Sequence, residues 1–93
     1  MIRSFADKAT QVVFEGGFPA DLPADIVRTA RRKLKMVHAA AELRDLRSPP
    51  GNRLHPLKGD RDGQFAIRIN DQYRVCFTFR DGEAYDVEIT DYH

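Results

Sequence analysis

The apolar residues of this chain change their period halfway along, and Ser48-Pro49-Pro50-Gly51 stands between the two regimes. Upstream, Val27, Ala30, Leu34, Val37 and Ala41 recur at a three–four spacing, which gathers them on one face of a helix. Downstream the period is two. Phe65, Ile67 and Ile69, then Tyr73, Val75, Phe77 and Phe79, then Tyr85, Val87 and Ile89 alternate with polar or small residues. Such alternation makes strands with one apolar face. Helices first and a sheet afterwards, each with one face to bury, can only bury them against each other. The expected class is α+β: two N-terminal helices packed on one face of a small antiparallel sheet, in a single domain over residues 1–93. The other face of the sheet is left polar and open to a ligand.

Local signals refine this. Ser4-Phe5-Ala6-Asp7 resembles a capping box, so a first helix is expected from about Phe5 to Phe14, with Phe5, Ala9, Val12 and Val13 on its apolar side. Gly16-Gly17 ends it, because glycine accepts the left-handed backbone at a helix C-terminus. Pro23 suits the first turn of the second helix, and Leu43 and Leu46 suit one more turn after that helix frays near Ala41. Arg28, Arg31, Arg32, Lys33 and Lys35 are expected on its solvated face, a natural dock for an acidic partner. Between the last two strands, a two-residue Asp81-Gly82 loop would pair Phe77 with Asp86 and bring carboxylates to the apolar face. A three-residue loop, Arg80-Asp81-Gly82, avoids that. It predicts Phe77 opposite Tyr85, Val75 opposite Val87, Arg74 opposite Glu88 and Cys76 opposite Asp86.

With 93 residues the core is thin, and any site is a shallow groove rather than a cleft between domains. A content of 42% hydrophobic and 31% charged residues fits a folded domain and excludes a disordered chain. No long uncharged run could span a membrane, and no apolar stretch follows the opening Met1-Ile2-Arg3-Ser4-Phe5 as a secretory signal would require. Cys76 is the one cysteine, so no internal disulfide is available, and a reducing cytoplasm is the expected compartment. The net charge of +1 hides an asymmetry: residues 1–53 carry 10 Lys/Arg against 6 Asp/Glu, residues 54–93 carry 5 against 8. Neither half is a strong polycation, so a nucleic-acid partner must be held by particular residues rather than by a broad basic surface.

Three stretches carry chemistry: Leu54-His55-Pro56-Leu57-Lys58-Gly59-Asp60-Arg61, a loop or irregular strand; Tyr73-Arg74-Val75, with Arg74 turned from the apolar face; and the terminal Asp91-Tyr92-His93. Two imidazoles, two cations, a carboxylate and a phenol suit RNA cleavage by attack of a ribose 2′-hydroxyl on the adjacent phosphate. Histidine can take or give the proton, lysine and arginine stabilise the phosphoryl oxygens, and tyrosine can stack on an unpaired base. No metal or other cofactor is required, and His55, Asp91 and His93 lack close ligand spacing. Each residue also has a plainer reading: Arg74 as a cross-strand partner of Glu88, and His38 as a solvated side chain.

The same three stretches, with Asn70-Asp71-Gln72-Tyr73-Arg74-Val75 and the opening Met1-Ile2-Arg3-Ser4-Phe5, resemble the HigB toxins of the RelE/ParE superfamily, and the likeness runs essentially end to end. The resemblance implies a RelE-like, microbial-ribonuclease-type fold. It implies the toxin of a type II toxin–antitoxin system, a metal-independent endoribonuclease that cuts mRNA in the A site of the 70S ribosome. It further implies neutralisation by a HigA-type helix-turn-helix antitoxin, with operator DNA reached only through that antitoxin. Its functional positions fall on His55, Lys58, Arg74, Asp91, Tyr92 and His93. His93 and His55 would be the acid–base pair, Lys58 and Arg74 would hold the scissile phosphate, Asp91 would orient a histidine and Tyr92 would position the nucleotide. Lys58, Arg61, Arg68 and Tyr92 are the expected RNA contacts. Tyr73 stands where the family has tryptophan, and the charge is lower than in the RelE branch, which implies a weaker grip on ribosomal RNA. Two other readings stay open: a ParE-like poison of DNA gyrase, and a non-catalytic co-repressor partner of the antitoxin.

Overall fold

A computed structural model describes residues 1–91. Helix α1 spans Lys8–Phe14 and α2 spans Ala24–Ala39. Short 3-10 turns follow at Leu43–Arg47 and Pro50–Asn52. The sheet comprises β1 (His55–Pro56), β2 (Phe65–Arg68), β3 (Tyr73–Arg80) and β4 (Glu83–Asp91). Its order is β1-β2-β3-β4, with every pairing antiparallel. The α+β expectation holds, with a fourth, two-residue strand built from the His55 stretch.

Both helices lay their apolar faces on one side of this sheet. Val13, Val27, Ala30, Leu34 and Val37 meet Ile67, Val75, Phe77 and Val87, all fully buried. The Thr10 hydroxyl accepts from the Ile89 amide at 2.9 Å and fastens α1 to β4. The second helix stops earlier than the seam suggests, so Ala40 is buried and Ala41 is exposed.

The first helix also starts later than expected. Asp7, not Ser4, is its cap, accepting from the Thr10 amide at 2.8 Å. The preceding residues serve the sheet instead: Ile2 and Phe5 make parallel bridges to Ala84 and Val87 of β4. An extended segment thus covers the β4 edge, which would otherwise be open to unwanted pairing. His38 belongs to this arrangement and is not merely solvated. Its Nδ1 accepts from the Ile2 amide at 3.1 Å, and its ring lies 5.2 Å from that of Phe14.

The β3–β4 hairpin departs from the expected register. The loop is the two-residue Asp81-Gly82, with φ of +52° and +76°, and it pairs Phe79 with Ala84 and Thr78 with Tyr85. The objection to that loop was that it carries Asp86 onto the core side. The chain removes the difficulty with a bulge between Cys76 and Thr78. Asp86 takes φ +53°, stays exposed, and lets Val87 turn inward to full burial. The Ser4 hydroxyl accepts from the Asp86 amide at 2.9 Å and fixes the bulge. Beyond it, Val75 faces Ile89, Cys76 faces Glu88 and Arg74 faces Thr90. Tyr85 therefore lies on the outer face, under the Arg80 guanidinium at 4.1 Å from the ring centre.

The basic face of α2 is divided. Arg31 caps α1, donating to the carbonyls of Val13 and Gly17 at 2.7 and 2.6 Å. Lys33 is buried and donates to the Oδ1 of Asn52. Arg28, Arg32 and Lys35 stay exposed, as the sequence suggests for the whole set.

Candidate functional site

The outer face of the sheet builds the site. Pairing places His55 of β1 beside Ala66 of β2, Ala66 beside Cys76 of β3, and Cys76 beside Glu88 of β4. Ala66 and Cys76 are small and buried, so they make a low floor. Arg74, two residues before Cys76 on the same face, leans across that floor, and its Nη1 lies 2.9 Å from His55 Nε2. His55 Nδ1 lies 2.7 Å from the Arg53 carbonyl, which can only accept. Nδ1 therefore carries the proton, and Nε2 accepts from Arg74. The histidine reaches this position from a strained approach: Arg53 sits in the left-handed region, φ +48° and ψ +48°, after the Pro50–Asn52 turn.

That turn rests on a buried strut. Asn52 is fully buried and donates from Nδ2 to the carbonyls of Leu46 and Ser48 at 3.2 and 3.3 Å. Its Oδ1 receives the Lys33 ammonium. Desolvation, followed by the charges of Arg32 and Arg68, lowers the Lys33 pKa from its ordinary 10.5. An ammonium in the core thus holds the loop that delivers His55.

Beside the His55–Arg74 bridge lies a groove of about 670 Å³, lined by His55, Lys58, Arg61, Arg74, Thr90 and Asp91 among others. Lys58 is exposed at its rim, just before the Gly59–Arg61 turn. Arg61 donates to Glu88 at 3.1 Å and to Gln64 at 3.0 Å, so it is held at the wall. Asp91 accepts from Gln72 at 3.1 Å. A second groove, about 320 Å³, shares His55 and Arg74 with the first and is lined also by Arg53, Arg68, Asn70 and Asp71. Arg68 is bonded there to Asp71.

Four of the six expected catalytic residues, His55, Lys58, Arg74 and Asp91, therefore line one groove, together with the expected RNA contact Arg61. Arg68 lines the neighbouring one. Tyr92 and His93 lie outside the described residues. Glu88 pairs with Arg61 and not with Arg74. Sequence reasoning missed Arg53, Cys76 and Thr90. Arg53 lies outside the histidine motif; alternation alone puts Cys76 on the face of Arg74, but nothing in its type marks it as the floor of a site, and the shifted register sets Thr90 opposite Arg74.

An α+β sheet with a cationic groove around a histidine defines a class that comparison makes specific. The fold matches a solved structure, a YoeB–YefM complex from Staphylococcus aureus, with a TM-score of 0.62 at 17% identity over 100% of this chain and 95% of the other. Residues 3–93 match the family model of the RelE-like toxin of the type II toxin–antitoxin system HigB. The chain is 37% identical to "Endoribonuclease HigB" of Proteus vulgaris over the whole of both chains. It is 40% identical to "Toxin HigB-1" of Vibrio cholerae over 90% of each. The chain belongs to the HigB-like toxin family, and the partner of such a toxin is an antitoxin.

Proposed function

We propose that this chain is an endoribonuclease that cuts mRNA in the ribosomal A site. The observation that carries the reading is the convergence of His55, Arg74, Lys58 and Asp91 on one groove. A full-length relative bearing the name endoribonuclease supports it. In the reaction the 2′-oxygen loses its proton to a base and forms a bond to phosphorus, while the bond to the 5′-oxygen breaks and that oxygen takes a proton from an acid. The products are a 2′,3′-cyclic phosphate and a 5′-hydroxyl. Arg74 and Lys58 bind the phosphoryl oxygens and offset the charge that grows there.

His55 first serves as the acceptor that aims Arg74. When a phosphate takes the Arg74 donor, Nε2 is released toward the reacting oxygens, and His55 and His93 form the acid–base pair. Tyr92 positions the nucleotide and Asp91 orients a histidine. The ribosome supplies the orientation that so shallow a site lacks. The 93 residues act as one domain, in the cytoplasm and without a cofactor. The antitoxin is of the HigA helix-turn-helix type, and operator DNA is met only through it. Its acidic residues meet the exposed Arg28, Arg32 and Lys35 of α2.

Primer extension on a defined mRNA in programmed ribosomes tests this. The expected result is cleavage at an A-site codon that requires ribosomes and disappears in His93→Ala. Intact mRNA beside arrested growth would overturn it and direct attention to DNA gyrase.

A further inference from the structure

We propose that the groove of Arg53, Arg68 and Asn70 is a second anion subsite, which holds the RNA phosphate next to the scissile one, and that Asp71 occupies it until RNA arrives. The inference rests on the nuclease reading and extends it to a second phosphate.

Three guanidinium-bearing residues, Arg53, Arg68 and Arg74, line this 320 Å³ groove against a single carboxylate. His55 and Arg74 line both grooves, so the two adjoin at this hydrogen-bonded pair. An anion in each groove would touch the same Arg74–His55 unit, as consecutive phosphates of a single strand could. Among the described residues no carboxylate pairs with Arg53, which is exposed. Its backbone meanwhile holds His55 through the carbonyl. One residue thus places the histidine from its main chain and faces the second groove with its side chain.

Asp71 behaves as a stand-in for the ligand. Its carboxylate bonds Arg68, yet its side chain is 99% exposed. A solvent-exposed pair of this kind contributes little and is readily exchanged. A phosphate offers the guanidinium a stronger, bidentate partner and takes its place. Asp71 then swings into water at small cost, since almost none of it is packed. Asn70 stays where it is, because its side chain already accepts from the amides of Gln72 and Tyr73 at 2.8 and 2.7 Å. The turn is therefore fixed while its acidic tip is free to leave.

The test is single-turnover cleavage in programmed ribosomes, using mRNAs with one neutral methylphosphonate at the linkage on either side of the scissile bond. Toeprinting confirms that each mRNA is seated alike. The wild type is compared with Arg53→Asn/Arg68→Gln, asparagine being chosen because it accepts the left-handed backbone. At one of the two linkages the wild type is expected to lose about tenfold in rate when the charge is removed, as for a charged hydrogen bond. The double variant is expected to lose a similar factor on normal mRNA and nothing more on the methylphosphonate. Asp71→Ala, which removes the carboxylate that fills the subsite, is expected to cleave faster than wild type at low mRNA occupancy. If neutralising either linkage costs the variant as much as it costs the wild type, these arginines hold no phosphate and the subsite is overturned, while wild-type cleavage still upholds the nuclease. If the wild type cuts nothing, both readings fall.

Discussion

His55 and Arg74 are joined by a 2.9 Å hydrogen bond in which the imidazole Nε2 accepts and the guanidinium donates, while Nδ1 is held at 2.7 Å by the Arg53 carbonyl. The two residues come from strands separated by β2 and meet only because Ala66 is small enough to be bridged. They work as one unit, so their effects are not additive. His55→Ala and Arg74→Ala are each expected to lower single-turnover mRNA cleavage by about 10²-fold or more. The double variant should fall little below the worse single one. His55→Gln keeps an acceptor for Arg74 but cannot transfer a proton. It should bind RNA almost as tightly as wild type and still fail to cleave. Losses that simply multiply would show that the contact plays no part.

The bulge at Asp86 decides which residues of β4 face the core. A left-handed backbone costs a β-branched residue about 1–2 kcal/mol. Asp86→Val should therefore destabilise the protein by about that amount in urea unfolding, although Asp86 is exposed. Asp86→Gly should be neutral or stabilising. Equal stabilities for the glycine and valine variants would contradict the strained position.

Lys33 makes stability depend on pH in a defined direction. Its folded pKa lies below 10.5, so near and below that value the unfolded state binds more protons, and stability rises as the pH increases. Between neutrality and about pH 10.5, the wild type should gain stability relative to Lys33→Met. That substitution removes the titration but strands the buried Asn52 oxygen. Asn52→Ala should cost about 1–3 kcal/mol, as expected for buried polar groups left without partners. It should also slow cleavage, because Asn52 anchors the turn that presents Arg53 and His55. A stability difference between wild type and Lys33→Met that is flat with pH would refute the titration.

The order of elements and the core face were legible because they follow from period and residue type, while His55, Lys58, Arg74 and Asp91 stood out by residue type and by the family resemblance. Val27, Ala30, Leu34 and Val37 had to share a helix face, and Val75 and Phe77 a strand face, whatever the details. What escaped were contacts between distant segments. Ser4 reads locally as a cap, but a β4 amide competes for its hydroxyl and prevails. Lys33 reads as one of a row of solvated charges, yet an asparagine beyond the proline-rich stop draws it inward. The hairpin was misjudged because alternation assumes an unbroken ladder, and one bulge allows a two-residue loop and an inward Val87 together. Arg53 was invisible for a related reason: its importance lies in a backbone angle and a carbonyl, which no side-chain motif records.

Arg61 shows how the groove's charge is set. Its guanidinium is divided between Glu88 at 3.1 Å and Gln64 at 3.0 Å, at the wall of the larger groove. Glu88 thus offsets one positive charge where a phosphate would bind. The pair is about one-third exposed on each side, so the carboxylate is within reach of the same field as the ligand. Glu88→Gln retains an oxygen that can accept from Arg61 but removes the countercharge. It should tighten RNA binding and steepen the dependence of log K on log salt by about 0.7, the increment for one more phosphate contact on a single strand. Arg61→Gln should move both quantities the other way. The pair of variants separates charge from architecture: were Glu88 needed only to hold the wall, Glu88→Gln would weaken RNA binding and lower thermal stability together, with no change in the salt slope.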